Sequence, residues 1–538
     1  MSTEGHRQGV LVEVKASEAR RLMQSPIEAG GIGFEWEEVF RGPLSISALE
    51  DTQETTWLLA QPEAGHPELQ GWDWAHLLRR SLPEDLVAAG AIVDLAPNLV
   101  PVPPQVALPD LGYDELEGRS GPPRPDLNCV STPQDSAWPV GSGVAWHLRD
   151  DYTQLARARQ RSRPEPGGRR VRIGHIDTGY SPDHTTCPRH MRRDLGFNFW
   201  RNNSDTTDNN GGLFQGHGTR TLSVLAGNRV RVPGFDDDLG GAPEAEIVPI
   251  VADGSVIISN INLAYWARAV EHALLRECDV VSISAGGLWV DGGVIERALQ
   301  EVERRGVVVV AAAGNRFCGP GDMVWPARYP TVVAVTGAMA NHEPYYYLCS
   351  ARYYSSCYGP TSDMGHAIAA YVPNITIAKY GCPSVLDHNG DGTSHATPQV
   401  AAAAALWLQK HGHRYSGARR SQAARRALFA TAHKSSGREW MFGNGILKAN
   451  AALDHVPGEA ELSMAETAAA PELTAIETTP EFERLPELAQ RMVRREALDR
   501  LHRSPELREA AATDFVAATS QQRVSTDLRR LMAGAPAL

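Results

Sequence analysis

The sequence predicts an α/β protein built on a doubly wound, mostly parallel sheet, preceded by a small α+β module and followed by a helical tail. Three observations predict it. Between residues 171 and 335, short runs of β-branched residues alternate with stretches of helical period, the pattern of a parallel sheet covered on both faces. From residue 9 to 102 the strand and helix signals follow a βαββαβ order, that of a ferredoxin-like split unit. Beyond Asn450 the composition turns rich in Ala, Glu and Thr before two amphipathic helices.

The elements follow in order. In the first module, residues 10–14, 34–40, 56–60 and 91–95 read as strands, and 17–24 and 72–82 as helices, with 99–102 ending the unit. Residues 103–145 are punctuated by prolines and hold no sustained period, which reads as a linker or a draped loop open to proteases. A regular body spans 146–455. Its first strand, 171–176, ends in Asp177-Thr178-Gly179, and open α/β sheets place their sites at that end of a strand. Strands at 247–251, 280–284, 307–313 and 332–335 alternate with helices at 262–276 and 293–305. In the tail, 456–538, residues 457–478 read as flexible. Thr479-Pro480 and Ser504-Pro505 each read as a cap with proline at the first helical position. Leu485, Leu488, Met492, Leu498 and Leu501 share one side of the first of these helices, a packing face.

Bulk properties exclude several classes. At 538 residues the chain exceeds one ordinary core and suggests two or three units. The net charge of -12 is spread along the chain, so no nucleic-acid partner is expected. Its longest apolar runs, 307–313 and 400–408, fall well short of the ~20 residues of a spanning helix. Residues 1–8 lack a charged lead before an apolar core, so the expectation is a cytoplasmic protein with no membrane partner. Cysteines at 129, 187, 278, 318, 349, 357 and 382 form an odd set without tight pairing and are expected to be reduced thiols. His184, Cys187 and His190 lie close enough to share a metal, but with no fourth ligand in view they read as a surface loop.

The chemistry gathers at Gly392-Thr393-Ser394-His395-Ala396-Thr397-Pro398, which runs into the Ala-rich stretch 400–408. A hydroxyl at a helix start is ordinarily a cap. The same place favours an anion, though, because free N–H groups and the positive end of the helix dipole meet there. Two further segments supply what a nucleophilic serine lacks: Asp177 at a strand end, and His217 opening a short helix in Gly216-His217-Gly218-Thr219. Imidazole takes the serine proton near neutral pH, and a carboxylate fixes its tautomer and stabilises the imidazolium. Asn315, at the end of Ala311-Ala312-Ala313-Gly314, offers an amide to a developing oxyanion.

These four motifs, in the order Asp, His, Asn, Ser, resemble the signature motifs of subtilisin-like serine proteases (subtilases, peptidase family S8) over residues 146–453. The resemblance implies a subtilisin-like sheet and a serine endopeptidase acting on polypeptides. Ser394 would be the nucleophile, His217 the base, Asp177 its orienter and Asn315 the oxyanion donor. It further implies that Ser284, Ala285 and Gly286, with Ala312, Ala313 and Gly314, flank the pocket for the residue before the cut bond; such small residues fit a broad or bulky apolar preference. No cofactor is implied. Structural calcium is common in the family, but no ligands can be assigned here, and the EF-hand-like run 387–392 has Pro398 where the bidentate glutamate is required.

Two departures stand out: His395 in place of the methionine usual after the nucleophile, and Ala369-Ala370-Tyr371-Val372-Pro373 in place of the customary Ala-Pro-Gly. By element order the first module resembles the family's propeptides, which implies a zymogen in which residues 9–102 inhibit or assist folding and a cut within 103–145 activates. A rival expectation is a catalytically quiet scaffold acting through its N- and C-terminal extensions. The complete catalytic set weighs against it. An α/β-hydrolase is excluded by the missing Gly-x-Ser-x-Gly elbow and by the chain order.

Overall fold

In this computed structural model the described residues are 9–38, 55–63, 71–98, 129–208, 214–258, 263–287, 293–316, 323–346, 355–359, 363–462 and 480–490, with positions 492, 493, 496, 525, 528 and 529. The helix expected from Ser504, Leu498 and Leu501 on the packing face, and residues 99–128 of the module end and linker lie outside them.

The N-terminal unit runs β1 (Gly9–Lys15), α1 (Ala16–Gln24), β2 (Glu28–Ala29), β3 (Ile32–Glu38), β4 (Thr55–Pro62), α2 (Gly71–Ser81), α3 (Glu84–Ala88) and β5 (Ile92–Asn98). Its sheet has the order β2-β3-β4-β1-β5, with every neighbour antiparallel. Successive side chains of a strand point to opposite faces. Val10, Val12 and Val14 accordingly pack on Leu22, Trp72 and Leu78 of the helices, while Leu11 turns the other way and joins a second core.

That second core belongs to the large body. Here α4 (Leu155–Arg161) leads into β6 (Arg172–Asp177), followed by β7 (Phe197–Asn198), α5 (His217–Ala226), the hairpin β8 (Arg229–Val232) and β9 (Phe235–Asp238), and β10 (Glu246–Val251). Next come α6 (Leu263–Leu275), β11 (Val280–Ile283), α7 (Gly293–Arg304), β12 (Val308–Ala312), β13 (Asn315–Arg316), β14 (Val332–Ala338), β15 (Ser355–Ser356) and β16 (Ala367–Tyr371). The hairpin β17 (Ile375–Ala378) and β18 (Leu386–Gly390) feeds α8 (Thr393–His411), and α9 (Ala418–Thr431) follows.

Seven strands form one parallel sheet in the order β16-β14-β12-β11-β6-β10-β7. Its strands are buried on both faces, which is why they read as unbroken apolar runs. Val308 and Val310 of β12 face α5, α8 and α9; Val309 and Ala311 face α6 and α7. The alanines 401–405 of α8 are all within 2% of full burial, and with no larger side chain between them the helix lies close on the sheet. Leu11 of the N-terminal unit packs with Trp266, Ile295 and Leu299 of α6 and α7.

Three stretches differ from the sequence expectation. Residues 129–145 are stitched to the body rather than linking to it: Thr132 N donates to Asp387 Oδ1 (2.7 Å), His388 N to Thr132 O (2.8 Å) and Asp135 N to Asn374 Oδ1 (2.7 Å), and Trp138 is buried in the core. A Cys129–Cys382 disulfide fixes the same segment, which corrects the expectation of reduced thiols. The partners are 253 residues apart, so no local spacing could reveal the pair. Among the described cysteines, 187, 278 and 357 form no disulfide.

At the other end the body continues past 455. Tyr415 Oη donates to Pro457 O (2.7 Å), and Leu462 of the short helix Glu459–Leu462 is a core residue. The tail does not trail from the body either. Leu488 and Met492 lie in the core of the N-terminal unit. His76 of α2 meets Glu496 at 3.1 Å between Nε2 and Oε2, and Ser525 gives Glu496 two hydrogen bonds, from N (2.7 Å) and Oγ (2.6 Å).

Candidate active site

Asp177 is the last residue of β6, near the middle of the parallel sheet at its C-terminal edge, and its side chain is buried. Its carboxylate accepts from His217 Nδ1 (2.7 Å), Thr178 N (2.8 Å) and Thr221 Oγ1 (2.9 Å). Burial pushes its pKa up, but the His217 imidazole beside it, with the hydrogen bond from that ring and the one from the Thr178 N–H, outweighs burial and holds it below the usual carboxylate value.

His217 is the first residue of α5. The glycines beside it are steric requirements. Gly216 has φ 85°, and a Cβ there would fall 2.4 Å from the Tyr380 ring; a Cβ on Gly218 would fall 2.1 Å from the carbonyl oxygen of Gly179. They let the helix start press against the chain leaving β6, which brings the imidazole onto Asp177.

Three supporting residues were not singled out in the sequence. Thr221 Oγ1 is 2.9 Å from both Asp177 Oδ2 and His175 Nε2; a carboxylate only accepts, so the hydroxyl donates to Asp177 and His175 donates to the hydroxyl. Burial lowers the pKa of His175, which keeps that ring neutral. Asp208 lies under the same junction and accepts from Thr178 Oγ1 (3.3 Å), Thr219 N (3.3 Å) and Thr219 Oγ1 (3.1 Å). Two of these had a readable signal. Thr221 is four residues from His217 on a helix, and His175 is two from Asp177 on a strand, so each shares a face with its neighbour.

Ser394 is the second residue of α8. Pro398, inside the helix, has no N–H to return to the carbonyl four residues back, which is that of Ser394. Ser284 Oγ donates to that carbonyl instead (2.8 Å), and Ser394 Oγ lies 3.4 Å from the Ser284 carbonyl. Thr397 Oγ1 donates to Thr393 O (2.9 Å) and Gln399 Nε2 to His395 O (2.8 Å), so side chains hold the first turn. His395 is buried, its ring centroid 6.4 Å from that of His217, with Nδ1 on the Asp391 carbonyl. Burial pushes its pKa down to about 3, so at neutral pH it is an uncharged filler. His217 and His395 thus bring the starts of α5 and α8 together.

Asn315 lies on β13, paired with β15. One end of its amide accepts from Thr393 N (2.9 Å) and Thr393 Oγ1 (3.1 Å). A main-chain N–H requires an acceptor, so that end is the oxygen, and the NH2 end is left to donate. Ala312 ends β12 and Ser284 follows β11, two neighbouring parallel strands. Gly286, among the residues implied to bind substrate, already pairs its own backbone: its N–H donates to Val256 O and its carbonyl accepts from Ile258 N, both at 3.0 Å. A peptide pairing with Gly286 would displace that segment.

The His184, Cys187 and His190 group is otherwise engaged. His184 Nε2 donates to Val385 O (3.1 Å) while its Nδ1 accepts from Thr186, and His190 meets Glu244 at 3.3 Å. Among the described residues no cluster of three or more His, Cys, Asp or Glu could hold a metal ion, and no helix is long and apolar enough to cross a membrane.

A sequence model described as the subtilase family matches residues 168–445. Subtilisin DY of Bacillus licheniformis is 30% identical over 290 residues, which cover 53% of this chain and 91% of that protein. Subtilisin Savinase of Lederbergia lenta is 32% identical over 252 residues, 45% of this chain and 78% of that one. A solved structure of the prenylagaramide maturation protease PagA aligns at 24% identity and a TM-score of 0.43, over 56% of this chain and 99% of the other.

Proposed function

This chain belongs to the subtilase family and is a serine-type endopeptidase; from that premise we propose that Ser394, His217, Asp177 and Asn315 carry out the hydrolysis. Ser394 Oγ attacks the peptide carbonyl as His217 Nε2 takes its proton. Asp177 holds the other ring nitrogen and stabilises the imidazolium, which then protonates the departing amine. The Asn315 NH2 and the Ser394 N–H receive the oxyanion, and water activated by His217 releases the acyl group. The 2.7 Å contact from His217 Nδ1 to a buried Asp177 carboxylate supports this assignment, since it engages one ring nitrogen and makes Nε2 the one that would take the serine proton.

The test is labelling by a fluorophosphonate probe together with casein hydrolysis. Both are expected in the native chain, and Ser394→Ala should abolish both while the fold persists. Retained labelling in Ser394→Ala would remove Ser394 as nucleophile.

We further propose that residues 9–98 form a propeptide-like split unit that restrains the protease. The support is its antiparallel sheet, whose Leu11 face packs against α6 and α7. A cut within residues 103–128 would then be the first step of activation, with release of the unit as the second. The Cys129–Cys382 disulfide favours an oxidising compartment over the cytoplasm, since such bonds persist where thiols are not kept reduced.

A further inference from the structure

His175 stands two residues before Asp177 on β6, so both side chains lie on the face of the sheet that α5 covers. Both are buried, with 3.8 Å between His175 Nε2 and Asp177 Oδ2. Thr221 of α5 stands between them, its hydroxyl 2.9 Å from each. That hydroxyl has one proton and three places to send it: Asp177 Oδ2, His175 Nε2 if that nitrogen is bare, or Gly218 O at 3.2 Å. Given to the ring, the proton would leave a lone pair facing a carboxylate. Given to Gly218 O, the usual back-bond of a helical threonine, it would cost Asp177 the same donor. A proton on His175 Nε2 closes the first route. It also polarises the hydroxyl it donates to, which strengthens that group as a donor to the charged acceptor over the neutral one. Burial keeps the ring neutral by lowering its pKa, with His217 pushing the same way and Asp177 opposing. Its register partners, Pro249 of β10 and Ser282 of β11, bring no charge.

We propose that His175 is a positioning residue for Asp177: acting through Thr221, it holds a donor on the second carboxylate oxygen and so extends hydrolysis to lower pH. This rests on His217 as the base and Asp177 as its partner. A donor on a carboxylate takes up part of its charge, and a carboxylate so engaged pulls less on the imidazolium proton. His217 then gives up that proton at a lower pH, and more of it can act as a base on the acid side.

The test is the rate at which a fluorophosphonate probe labels the full chain from acid to alkaline pH. Labelling needs His217 unprotonated, so the midpoint of the acid limb reads that ring without any substrate preference. His175→Phe, which keeps a flat ring and removes the N–H, should move the midpoint up by about 0.4–1.1 pH units, the worth of one net hydrogen bond. Thr221→Val cuts the same chain one bond nearer to Asp177 and should move it at least as far. His175→Gln, which can still donate from Nε2, should keep the native midpoint, and His175→Phe added to Thr221→Val should shift it no further. A merely structural histidine would slow labelling at every pH and leave the midpoint in place. An unmoved midpoint in His175→Phe or in Thr221→Val overturns the proposal, as does an additive shift in the double variant. If His175→Phe does not fold, Thr221→Val beside His175→Gln decides. A native chain that takes no label at any pH removes the Ser394 and His217 assignments and this inference with them, whereas labelling with an unmoved midpoint removes His175 alone.

Discussion

The hydroxyl of Ser284 donates to the main-chain carbonyl of Ser394 across 2.8 Å, and Pro398, having no N–H, is the reason that carbonyl has no helical donor. The residue that follows β11 thus anchors the first turn of α8, on which the proposed nucleophile sits. Ser284→Ala is expected to lower stability by about 1–3 kcal/mol, the range for orphaning a buried acceptor. Adding Pro398→Ala should recover part of this by restoring the helical donor. Urea midpoints of the native chain, the single variant and the double variant check it; a double variant no more stable than Ser284→Ala would contradict the coupling.

The polar shell around Asp177 makes a graded prediction. Asp177→Asn should lower kcat by about 10,000-fold, because the amide stabilises the wrong histidine tautomer. Removing the oxyanion donor in Asn315→Ala should lower it by about 100- to 1000-fold. Thr221→Val removes one of three donors to the carboxylate and should cost about tenfold. Steady-state kinetics on casein peptides give the order, and a Thr221→Val loss as deep as that of Asp177→Asn would mean that the threonine does more than hold the carboxylate.

Much of this was legible because local sequence controls it. The strand ending at Asp177, the glycines around His217 and the apolar helix after Ser394 each announce themselves within about ten residues by periodicity or steric need. What was missed is set by chain segments meeting from afar. Cys129 and Cys382, and His76 and Glu496, are partners whose spacing carries no period. Residues 457–462 read as flexible because their composition is that of a loose tail, yet Leu462 finds the core and Tyr415 reaches Pro457. His395 stands where the family's methionine is usual, and only its burial, which no local spacing reveals, makes it an uncharged filler at neutral pH.

That burial has a pH consequence. His395 and His147 are held at about 3 and His366 at about 4, each first by burial, against an ordinary value of 6.5. The unfolded chain therefore takes up these protons as pH falls below 6.5, while the folded chain does not until about 3–4. Their contribution to stability is complete above 6.5 and is lost progressively as pH falls from there, by about 1.4 kcal/mol per pH unit for each ring. His395→Met should shallow this acid slope by about one ring's share. Denaturation midpoints between pH 7 and 4 decide it, and parallel slopes for the two proteins would show that His395 is not neutral in the fold.

The last prediction concerns how the two ends of the chain hold each other. Glu496, from the C-terminal segment, is fully buried against α2 of the N-terminal unit and takes hydrogen bonds from His76 and Ser525, while Leu488 and Met492 complete that unit's core. If residues 9–98 restrain the protease, a cut within 103–128 does not free them, because the C-terminal segment, itself part of the remaining chain, still holds them non-covalently through their shared core. The cut protein should elute as one species, with its N-terminal fragment retained and hydrolysis still low. Removing the shared acceptor of buried hydrogen bonds costs about 1–3 kcal/mol, enough to loosen a small unit. Glu496→Ala should therefore let the cut fragment dissociate and hydrolysis rise, whereas Glu496→Gln, which still accepts from Ser525, should fall between. Size exclusion of the cut protein, with casein hydrolysis on each fraction, reads both quantities; a native fragment that separates at once after cleavage would show that the C-terminal segment does not hold it.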